Sequence, residues 1–354
     1  MLWLMANLYP FIGLQVAGVY QENLLLTGGW ELYEYGMGEL GLVVFLTSVL
    51  FPFLTIAGMI YLLLPICLGY LPPRAGLVFQ SIKVIEPWCL ISVFMLGTLI
   101  AIVKLQDLAQ VLPGFSLAAF TALLVVYTMA RSSFDAETFW QRVEALRGID
   151  YGLRNISADD RVLHCHICDG LQTEGHDCQR CGAPIHHRIE NSIQRTWALL
   201  CAATLMLIPA NIFPVMTVKK LGKGQPDTII SGITALIEAG LYGLGIIVLF
   251  ASVIVPIAKL GSVIYLLRSI QNRSTWRPKD RTLLYRVTEA IGSWSMVDVF
   301  LVGLLAGLVS LGILASVTPG IGASFFGAAV ILTMFAAQQF DPRLIWDAME
   351  QAES

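Results

Sequence analysis

The sequence predicts an all-α polytopic membrane protein, with two parallel four-helix repeats and a small cytoplasmic zinc ribbon between them. Three features predict this class: long apolar segments, an internal repeat, and four cysteines in two close pairs. Of the 354 residues, 56% are hydrophobic and only 13% are charged, which is about half the charged fraction of an ordinary soluble domain. The mean hydropathy of +0.71 agrees with a chain that lies mostly in a membrane.

Apolar segments that could cross a bilayer recur along the whole chain. A spanning helix needs about 20 predominantly apolar residues. The segments that reach this length are 38–69, 84–112, 196–217, 240–267 and 288–316. Shorter segments that are still expected to span are 2–18, 114–130 and 321–337. We therefore expect about eight transmembrane helices.

Lysine and arginine in the connecting segments predict the orientation, because basic residues gather in cytoplasmic loops. Segment 131–195 holds eight arginines and segment 268–286 holds six basic residues, whereas 14–38 holds none. The lysines of 218–223 are an exception to this pattern. We expect the central linker, with its ribbon, and both termini to be cytoplasmic.

The two halves of the chain resemble each other. Ala6–Pro10 matches Ala210–Pro214 at an offset of 204 residues, and Trp88 matches Trp294 at an offset of 206. Because each half carries four predicted spans, an even number, both halves should enter the membrane in the same orientation. The predicted repeats are therefore parallel, related by an axis along the membrane normal.

Prolines recur inside the predicted helices of both halves. A proline within a helix frees a backbone carbonyl and favours a kink. The predicted kink residues are Asn7, Pro10, Pro52, Asn211, Pro214 and Pro256. Each asparagine lies three residues before a proline, where its side chain could bond a freed backbone group. A structural kink and a moving hinge both fit this pattern.

Four of the cysteines form one spaced group, which consists of Cys165, Cys168, Cys178 and Cys181. Two CxxC pairs can present four thiolates to one ion, in the tetrahedron that zinc prefers. Iron and a redox-active dithiol are the alternatives. With four protein ligands a zinc site would be closed, so we expect a structural role and not a catalytic one.

Ionisable side chains at membrane depth are candidate functional groups. Lys259 and Asp298 are predicted at nearly one level on adjacent helices, about 13 and 18 Å from their cytoplasmic ends, where they could pair. Ser252 lies two turns from Lys259 on the same face. The first half offers Lys83 and Glu86 instead. The alternatives are that Lys259 snorkels to the interface and that Lys83 and Glu86 are interfacial.

These features divide the chain into five parts. The parts are a first transmembrane repeat (1–130), an amphipathic helix with a linker (131–162), the zinc ribbon (163–190), a second transmembrane repeat (191–340) and a cytoplasmic amphipathic tail (341–354). Segment 134–147 interleaves aromatic and charged residues. Membrane anchoring is the expected role of this segment and of the tail.

A CxxC…CxxCG ribbon, followed by a span that ends in Pro209–Pro214 (PANIFP), resembles the paraquat-inducible protein A family over essentially the whole chain. The family pattern has a ribbon before each half, and we expect the first ribbon to be absent here. The resemblance implies a place in the inner membrane of Gram-negative bacteria. It also implies lipid movement between the two membranes, together with a periplasmic mammalian-cell-entry (MCE) domain protein that forms a tunnel.

The resulting hypothesis is a lipid-transport subunit, not an enzyme, that loads or unloads phospholipid or another lipid for the tunnel protein. The chain has no GxxxxGK[ST] phosphate-binding motif, so proton movement through Lys259, Asp298, Lys83 and Glu86 is the expected driving force. One alternative is a stand-alone secondary transporter for a small solute or ion. A membrane redox enzyme ranks last, because all five histidines lie near the ribbon. A net charge of −3 argues against a nucleic-acid partner.

Overall fold

The computed structural model describes residues 1–16, 19–106, 110–149, 163–172, 175–185, 188–220, 223–238, 240–274, 276–308 and 315–347. The backbone contacts divide the chain into two compact units, each of which is described by itself. The large unit comprises Met1–Phe45, Ser92–Phe120 and Ile189–Ser354. The small unit comprises Leu46–Ile91 and Thr121–Arg188.

Helices dominate the described residues. Those of the first half are α1 (Leu2–Leu8), α2 (Thr27–Glu34), α3 (Gly38–Phe45), α4 (Phe51–Cys67), α5 (Ala75–Ile85), α6 (Ile91–Gln106), α7 (Phe115–Ser133) and α8 (Ala136–Arg147). Those of the second half are α9 (Ser192–Ile212), α10 (Ile229–Glu238), α11 (Tyr242–Leu249), α12 (Val255–Gln271), α13 (Pro278–Gly292), α14 (Val297–Leu308) and α15 (Ile321–Gln339). Single π-helical turns join two of these pairs, at Leu46–Leu50 and Phe250–Ile254, and 3₁₀ turns lie at Glu86–Trp88 and Ser293–Met296.

Seven helical segments of the described chain are long and apolar enough to cross a membrane. They are Gly38–Cys67, Ala75–Val103, Phe115–Ser133, Ser192–Ile212, Tyr242–Gln271, Pro278–Gly307 and Ile321–Gln339. The prediction of an eighth span at 2–18 is wrong, because α1 ends at Leu8 and Ile12–Val16 is a strand. The cause is Pro10, which has no N–H group and forces the residue before it into an extended conformation.

Short strands are also present among the described residues, so the expectation of an all-α fold is wrong in this respect. The strands are β1 (Ile12–Val16), β2 (Val19–Asn23), β3 (Gln110–Pro113), β4 (Leu163–His164), β5 (Leu171–Gln172), β6 (Met216–Lys220), β7 (Lys223–Asp227) and β8 (Ala315–Pro319). Two antiparallel three-stranded sheets form in the large unit, with the orders β2-β1-β3 and β7-β6-β8. An apolar run does not by itself distinguish a buried strand from a helix end.

Elements of the two halves recur at the offsets seen in the sequence. Strand β1 and its hairpin partner β2 have counterparts 204 residues later in β6 and β7. The π-helical turn Leu46–Leu50 returns at Phe250–Ile254 with the same offset. Helix α7 returns as α15 at an offset of 206. The residue pairing is equivalent in the two antiparallel sheets, since Ile12 faces Pro113 in the first and Met216 faces Pro319 in the second.

The recurring prolines play two structural roles, only one of which resembles the predicted kinks. Pro10 and Pro214 lie beyond the ends of α1 and α9, so they end helices and do not kink them. Pro52 and Pro256 are the second residues of α4 and α12, directly after the π-helical turns. The wider turn accommodates a residue that cannot donate a backbone hydrogen bond.

The two predicted asparagines bond backward along their own helices. Asn7 Nδ2 donates to the carbonyl oxygen of Trp3, and Asn211 Nδ2 donates to that of Leu207, both at 2.8 Å. Each asparagine therefore bonds the carbonyl four residues earlier. This contact strengthens the last helical turn before the chain becomes extended.

In the large unit, glycines allow α2 to lie directly against α14. A Cβ atom added at Gly28 would be 2.9 Å from the carbonyl oxygen of Gly303, and one added at Gly307 would be 2.6 Å from the Cα atom of Gly28. Gly303 and Gly307 are four residues apart on one face of α14, the spacing of close helix contacts in membranes. Any side chain at these positions would separate the two helices.

The core of the small unit joins α4, α5 and α8 to the cysteine-containing segment. Phe139, Trp140 and Val143 of α8 are buried beside Phe79 of α5 and the four cysteines. The apolar face of α8 is therefore covered by protein, which contradicts the expected membrane anchoring of segment 134–147. Asp135 caps the first turn of α8, where its carboxylate accepts hydrogen bonds from the backbone of Glu137 and Thr138.

The described part of the C-terminal tail, 341–347, is also bound to protein. The backbone N–H of Asp341 donates to Ser192 Oγ at 3.0 Å, and its carboxylate accepts from the backbone N–H of Ile189 at 3.2 Å. Trp346 Nε1 donates to Thr282 Oγ1 at 3.2 Å. These contacts tie residues 341–347 to the large unit, and the rest of the tail lies outside the described residues.

Candidate functional site

The structure brings the four spaced cysteines together in one buried cluster in the small unit. Their Sγ atoms all lie within 4.8 Å of one another. The Sγ atoms of Cys165 and Cys181 are 3.6 Å apart, and those of Cys168 and Cys178 are 3.5 Å apart. A tetrahedral zinc ion with bonds of about 2.3 Å would place its sulfur ligands about 3.8 Å apart. The cluster therefore fits one metal ion and is too open for disulfides.

The backbone around each cysteine pair turns sharply to direct both thiols inward. The N–H of Cys165 donates to the carbonyl of Gly170 at 2.9 Å, and the N–H of Cys178 donates to the carbonyl of Ala183 at 2.8 Å. Each turn closes on a residue with positive φ, Asp169 in the first and Gly182 in the second. The second of these positions suits glycine, which adopts such a conformation without steric cost.

Hydrogen bonds among the four thiols shift their pKa values in opposite directions. A hydrogen bond with Cys168 lowers the pKa of Cys165 to about 6, and one with Cys165 lowers the pKa of Cys178. Hydrogen bonds with Cys165 raise the pKa of Cys168 and of Cys181. Metal binding requires all four thiols to be deprotonated. A cation that binds this cluster would therefore displace the remaining thiol protons.

A buried arginine fixes the second cysteine pair to α8. Arg180 lies between Cys178 and Cys181, and its Nε donates to Glu144 Oε1 at 2.6 Å. Its two Nη atoms donate to the carboxylate of Glu137 at 2.6 and 3.0 Å. The hydrogen bond with Arg180 lowers the pKa of the Glu137 carboxyl. Arginine suits this role because its planar guanidinium group can bind two carboxylates at once.

The same cysteine pair also contacts α5. Gln80 Nε2 donates to the carbonyl oxygen of Cys181 at 2.6 Å. A Cβ atom added at Gly76, one turn earlier, would be 2.4 Å from that oxygen. The missing side chain at Gly76 thus allows the cysteine turn to approach the helix directly. The metal centre is held by α5 and α8 together.

A cavity in the large unit contains two of the predicted intramembrane polar residues, Ser252 and Asp298. About 540 Å³ of space, part of it open to solvent, lies among mostly apolar side chains. Its lining residues are Ile100, Val215, Met216, Asp227, Thr228, Ile229, Gly232, Leu236, Val248, Ser252, Asp298, Leu301, Val302 and Phe326. Asp298 and Ser252 are both buried. The cavity combines an apolar wall with a few polar groups.

At the π-helical turn, the polar groups of Ser252 lack their usual hydrogen-bond partners among the described residues. Pro256 has no N–H to offer the carbonyl of Ser252, four residues earlier. The Oγ atom of Ser252 is also buried, and no residue in the described ranges bonds it. A polar ligand that entered the cavity could bond this hydroxyl group.

Lys259 is buried in α12, and its electrostatic neighbour is a residue that the sequence analysis missed. The carboxylate of Glu289, on α13, acts on the ammonium group of Lys259. The Nζ atom of Lys259 lies 2.7 Å from where a Cβ atom at Gly292 would be. The sequence predicted Asp298 as the partner of Lys259, whereas the charged neighbour that acts on Lys259 in the structure is Glu289. The signal that could have identified Glu289 is its place in an apolar segment, three residues after Arg286.

Lys83 and Glu86 belong to the small unit, not to the large unit that holds Lys259 and Asp298. Lys83 Nζ lies 3.3 Å from Glu86 Oε2. Arg131 completes the group, since its Nε lies 2.7 Å from Glu86 Oε1. The sequence does not predict that Arg131 joins this pair, because α5 and α7 are distant in sequence.

Comparisons with known proteins identify relatives over nearly the full chain. The family model described as paraquat-inducible protein A matches residues 1–144 and 193–350. The chain is 31% identical to the lipophilic envelope-spanning tunnel protein A of Escherichia coli K12, over 98% of this chain and 79% of that protein. It is 31% identical to the intermembrane transport protein PqiA of the same strain, over 99% of this chain and 84% of that protein.

A more divergent relative has the same coverage. The chain is 28% identical to a probable intermembrane transport protein of Haemophilus influenzae, over 96% of this chain and 81% of that protein. No solved structure matches the chain. The full-length matches, the spaced cysteine cluster and the seven apolar helices agree with one another, and the chain belongs to the paraquat-inducible protein A family.

Proposed function

We propose that this protein is the inner-membrane subunit of a system that moves lipid between the membranes of a Gram-negative envelope. The observation that carries the proposal is the cavity of the large unit, whose wall is apolar except for groups such as Ser252, Asp298 and Asp227. A cavity of this composition suits an amphiphile, which has an apolar body and a polar end. The names of the relatives, which include intermembrane transport, support the same function.

The proposed partner is a periplasmic MCE-domain protein that forms a tunnel, for which this chain loads or unloads phospholipid or another lipid. In this proposal the chain is a transporter and not an enzyme. Mass spectrometry of the lipids and proteins that copurify with the chain tests it. We expect lipid in the cavity and an MCE-domain protein in the complex. A stand-alone transporter of a small solute would copurify with neither.

We further propose that the two halves are parallel repeats and that the cysteine ribbon and the described part of the C-terminal tail face the cytoplasm. Among the described spans, three precede the ribbon and four follow it, so the expectation of a cytoplasmic N-terminus is wrong and α1 lies on the opposite side. The recurrence of β1, β2 and α7 at constant offsets supports the duplication. The arginines of 131–195 support the orientation. Labelling of a cysteine introduced at the exposed Arg142 of this segment (Arg142→Cys) with a membrane-impermeant reagent tests it, since reaction from the periplasmic side would contradict the assignment.

Zinc is the metal that we propose for the four-cysteine cluster. Cys165, Cys168, Cys178 and Cys181 would hold it as thiolates. All four positions of the tetrahedron would be filled by protein, so the ion would stabilise the fold and leave no open site for a substrate. The packing of the cluster against α5 and α8 supports this structural role.

Asp298 is the residue that we propose as the proton carrier, with Lys259 and Glu289 as neighbouring charges. A carboxylate at membrane depth is costly when charged and is therefore suited to binding and releasing a proton. We expect Asp298→Asn to abolish lipid transfer while the protein still accumulates in the membrane. Asp280→Asn is the control, because Asp280 lies near the exposed start of α13. Normal transfer by the Asp298 variant would refute the proposal.

A further inference from the structure

Lys83, Glu86 and Arg131 form a charged group with a net positive charge in the small unit. Both carboxylate oxygens of Glu86 are engaged, one by Lys83 at 3.3 Å and the other by Arg131 at 2.7 Å. The Glu86 side chain is only 15% exposed, whereas those of Lys83 and Arg131 are 33% and 51% exposed. The carboxylate is thus the inner member of the group, and the two cations face outward.

The two cations retain unused hydrogen-bond donors. Arg131 pairs with Glu86 through Nε, and no further bond from its two Nη atoms is seen to the residues that the structure describes. Lys83 has three N–H donors and directs Nζ to one carboxylate oxygen. A second anion could therefore bind both side chains without displacing Glu86. Phosphate is a favourable anion for such a pair, because guanidinium groups match its geometry.

A hollow adjoins these cations, with about 360 Å³ of space that includes a part open to solvent, and its other walls are apolar. Met59, Ile82, Phe79 and Phe134 complete the lining. Inorganic phosphate alone would gain nothing from these hydrocarbon walls. A ligand with a phosphate at one end and a hydrocarbon body at the other would use both parts of the site.

The ribbon gives the level of this group relative to the membrane. Gln80 and Gly76 of α5 contact the cysteine ribbon, which the proposed orientation places in the aqueous phase. Lys83 is three residues beyond Gln80, about 4.5 Å farther along the helix. Arg131 lies two residues before the end of the apolar helix α7. The charged group is therefore at the boundary between the aqueous ribbon and the apolar spans, where lipid phosphates lie.

We propose that Lys83 and Arg131 bind the phosphate of an anionic phospholipid in the leaflet that faces the ribbon. Glu86 is a positioning residue that holds the two cations at the rim of the hollow, and the lipid's hydrocarbon part lies on the half-buried side chains of Met59 and Phe134. The site is separate from the cavity that contains Asp298. It rests on the proposed function only in the assignment of the leaflet as cytoplasmic.

Lipid binding to the purified full-length chain tests the proposal without any transport step. The chain is titrated with phosphatidylglycerol in phosphatidylcholine nanodiscs, and bound lipid is counted by native mass spectrometry. We expect Lys83→Gln and Arg131→Gln each to weaken phosphatidylglycerol binding about five-fold, the effect of one basic residue near an anionic surface. Arg142→Gln removes the same charge from the exposed part of α8 and should leave binding unchanged.

A variant that should tighten lipid binding distinguishes loss of the lipid site from a general loss of folding. Glu86→Gln keeps an oxygen that can hold a cation at the rim of the hollow and removes the negative charge that repels the lipid phosphate, so we expect it to tighten phosphatidylglycerol binding. Binding by the Lys83 and Arg131 variants equal to that of the wild type would overturn the proposal. Competition by glycerol 3-phosphate at the same concentrations would overturn it as well, because the ligand would then be a soluble phosphate. Because no transfer is measured, these outcomes are independent of the proposed lipid transport.

Discussion

Replacing Arg180 by methionine should release the cysteine ribbon from α8 while the metal remains bound. Methionine preserves the aliphatic packing of the side chain and removes the guanidinium group. Arg180 is 5% exposed, and its partners Glu144 and Glu137 are 16% and 51% exposed. A buried hydrogen bond between charged groups contributes about 1.5–3 kcal/mol. The half-exposed Glu137 pair is screened by water and contributes about 0.5 kcal/mol.

Together these contributions give a loss of about 2–3.5 kcal/mol in the free energy that holds the ribbon on α8. Because about 1.4 kcal/mol corresponds to a factor of ten, the detached state should become about 30- to 300-fold more populated. Hydrogen–deuterium exchange of the backbone amides of α8, in saturating zinc, measures this change. The amides near Phe139 and Val143 should exchange faster by a comparable factor, since they are covered by the ribbon.

Variants of the two carboxylates that bind Arg180 show which contact slows amide exchange in α8. Glu144→Gln should accelerate exchange more than Glu137→Gln, because Glu144 is the more buried carboxylate. Arg142→Met, on the exposed face of α8, is the matched control and should change nothing. Unchanged exchange in the Arg180 variant would refute the reasoning. So would an equal effect of Arg142→Met.

Two further substitutions test other parts of the account. Cys168→Ser should reduce the bound metal from one ion per chain to a small fraction after dialysis, as measured by elemental mass spectrometry, because it removes one of the four thiolates. Cys67→Ser, outside the cluster, should leave the metal content unchanged. Gly28→Val should lower the free energy of unfolding by about 1–3 kcal/mol, because α2 and α14 have no space for a side chain there. Gly261→Ala should have no such cost, since a Cβ atom at Gly261 meets nothing within 4 Å. A stable Gly28 variant would contradict the packing described.

The sequence was sufficient for features that depend on local spacing or on composition. Seven of the eight predicted spans correspond to long apolar helices, because hydrophobic length alone decides whether a helix can cross a bilayer. The four cysteines meet as their spacing predicted, because each CxxC turn is a local structure. Strand β1 was missed, since Ile12–Val16 is as apolar as a helix end. Only its pairing with β2 and β3 reveals it as a strand.

The sequence alone could not predict which side chains distant in the chain contact each other. Nothing in the spacing connects Arg180 with Glu137 and Glu144, which lie 43 and 36 residues away. The amphipathic pattern of α8 predicts a buried face but not what covers it, so membrane and protein were equally compatible with Phe139 and Trp140. The contacts of Arg180 and the burial of the apolar face of α8 both depend on how α5, α8 and the ribbon pack together in the folded protein.

The central claim, that this chain loads or unloads lipid for an MCE-domain tunnel protein, can be tested in reconstituted vesicles. The purified chain is placed in donor vesicles that carry isotopically labelled phospholipid, and the tunnel protein connects them to unlabelled acceptor vesicles. We predict labelled lipid in the acceptors only when both proteins are present. Absence of labelled lipid from the acceptors with both proteins, together with uptake of a small solute by this chain alone, would contradict the account.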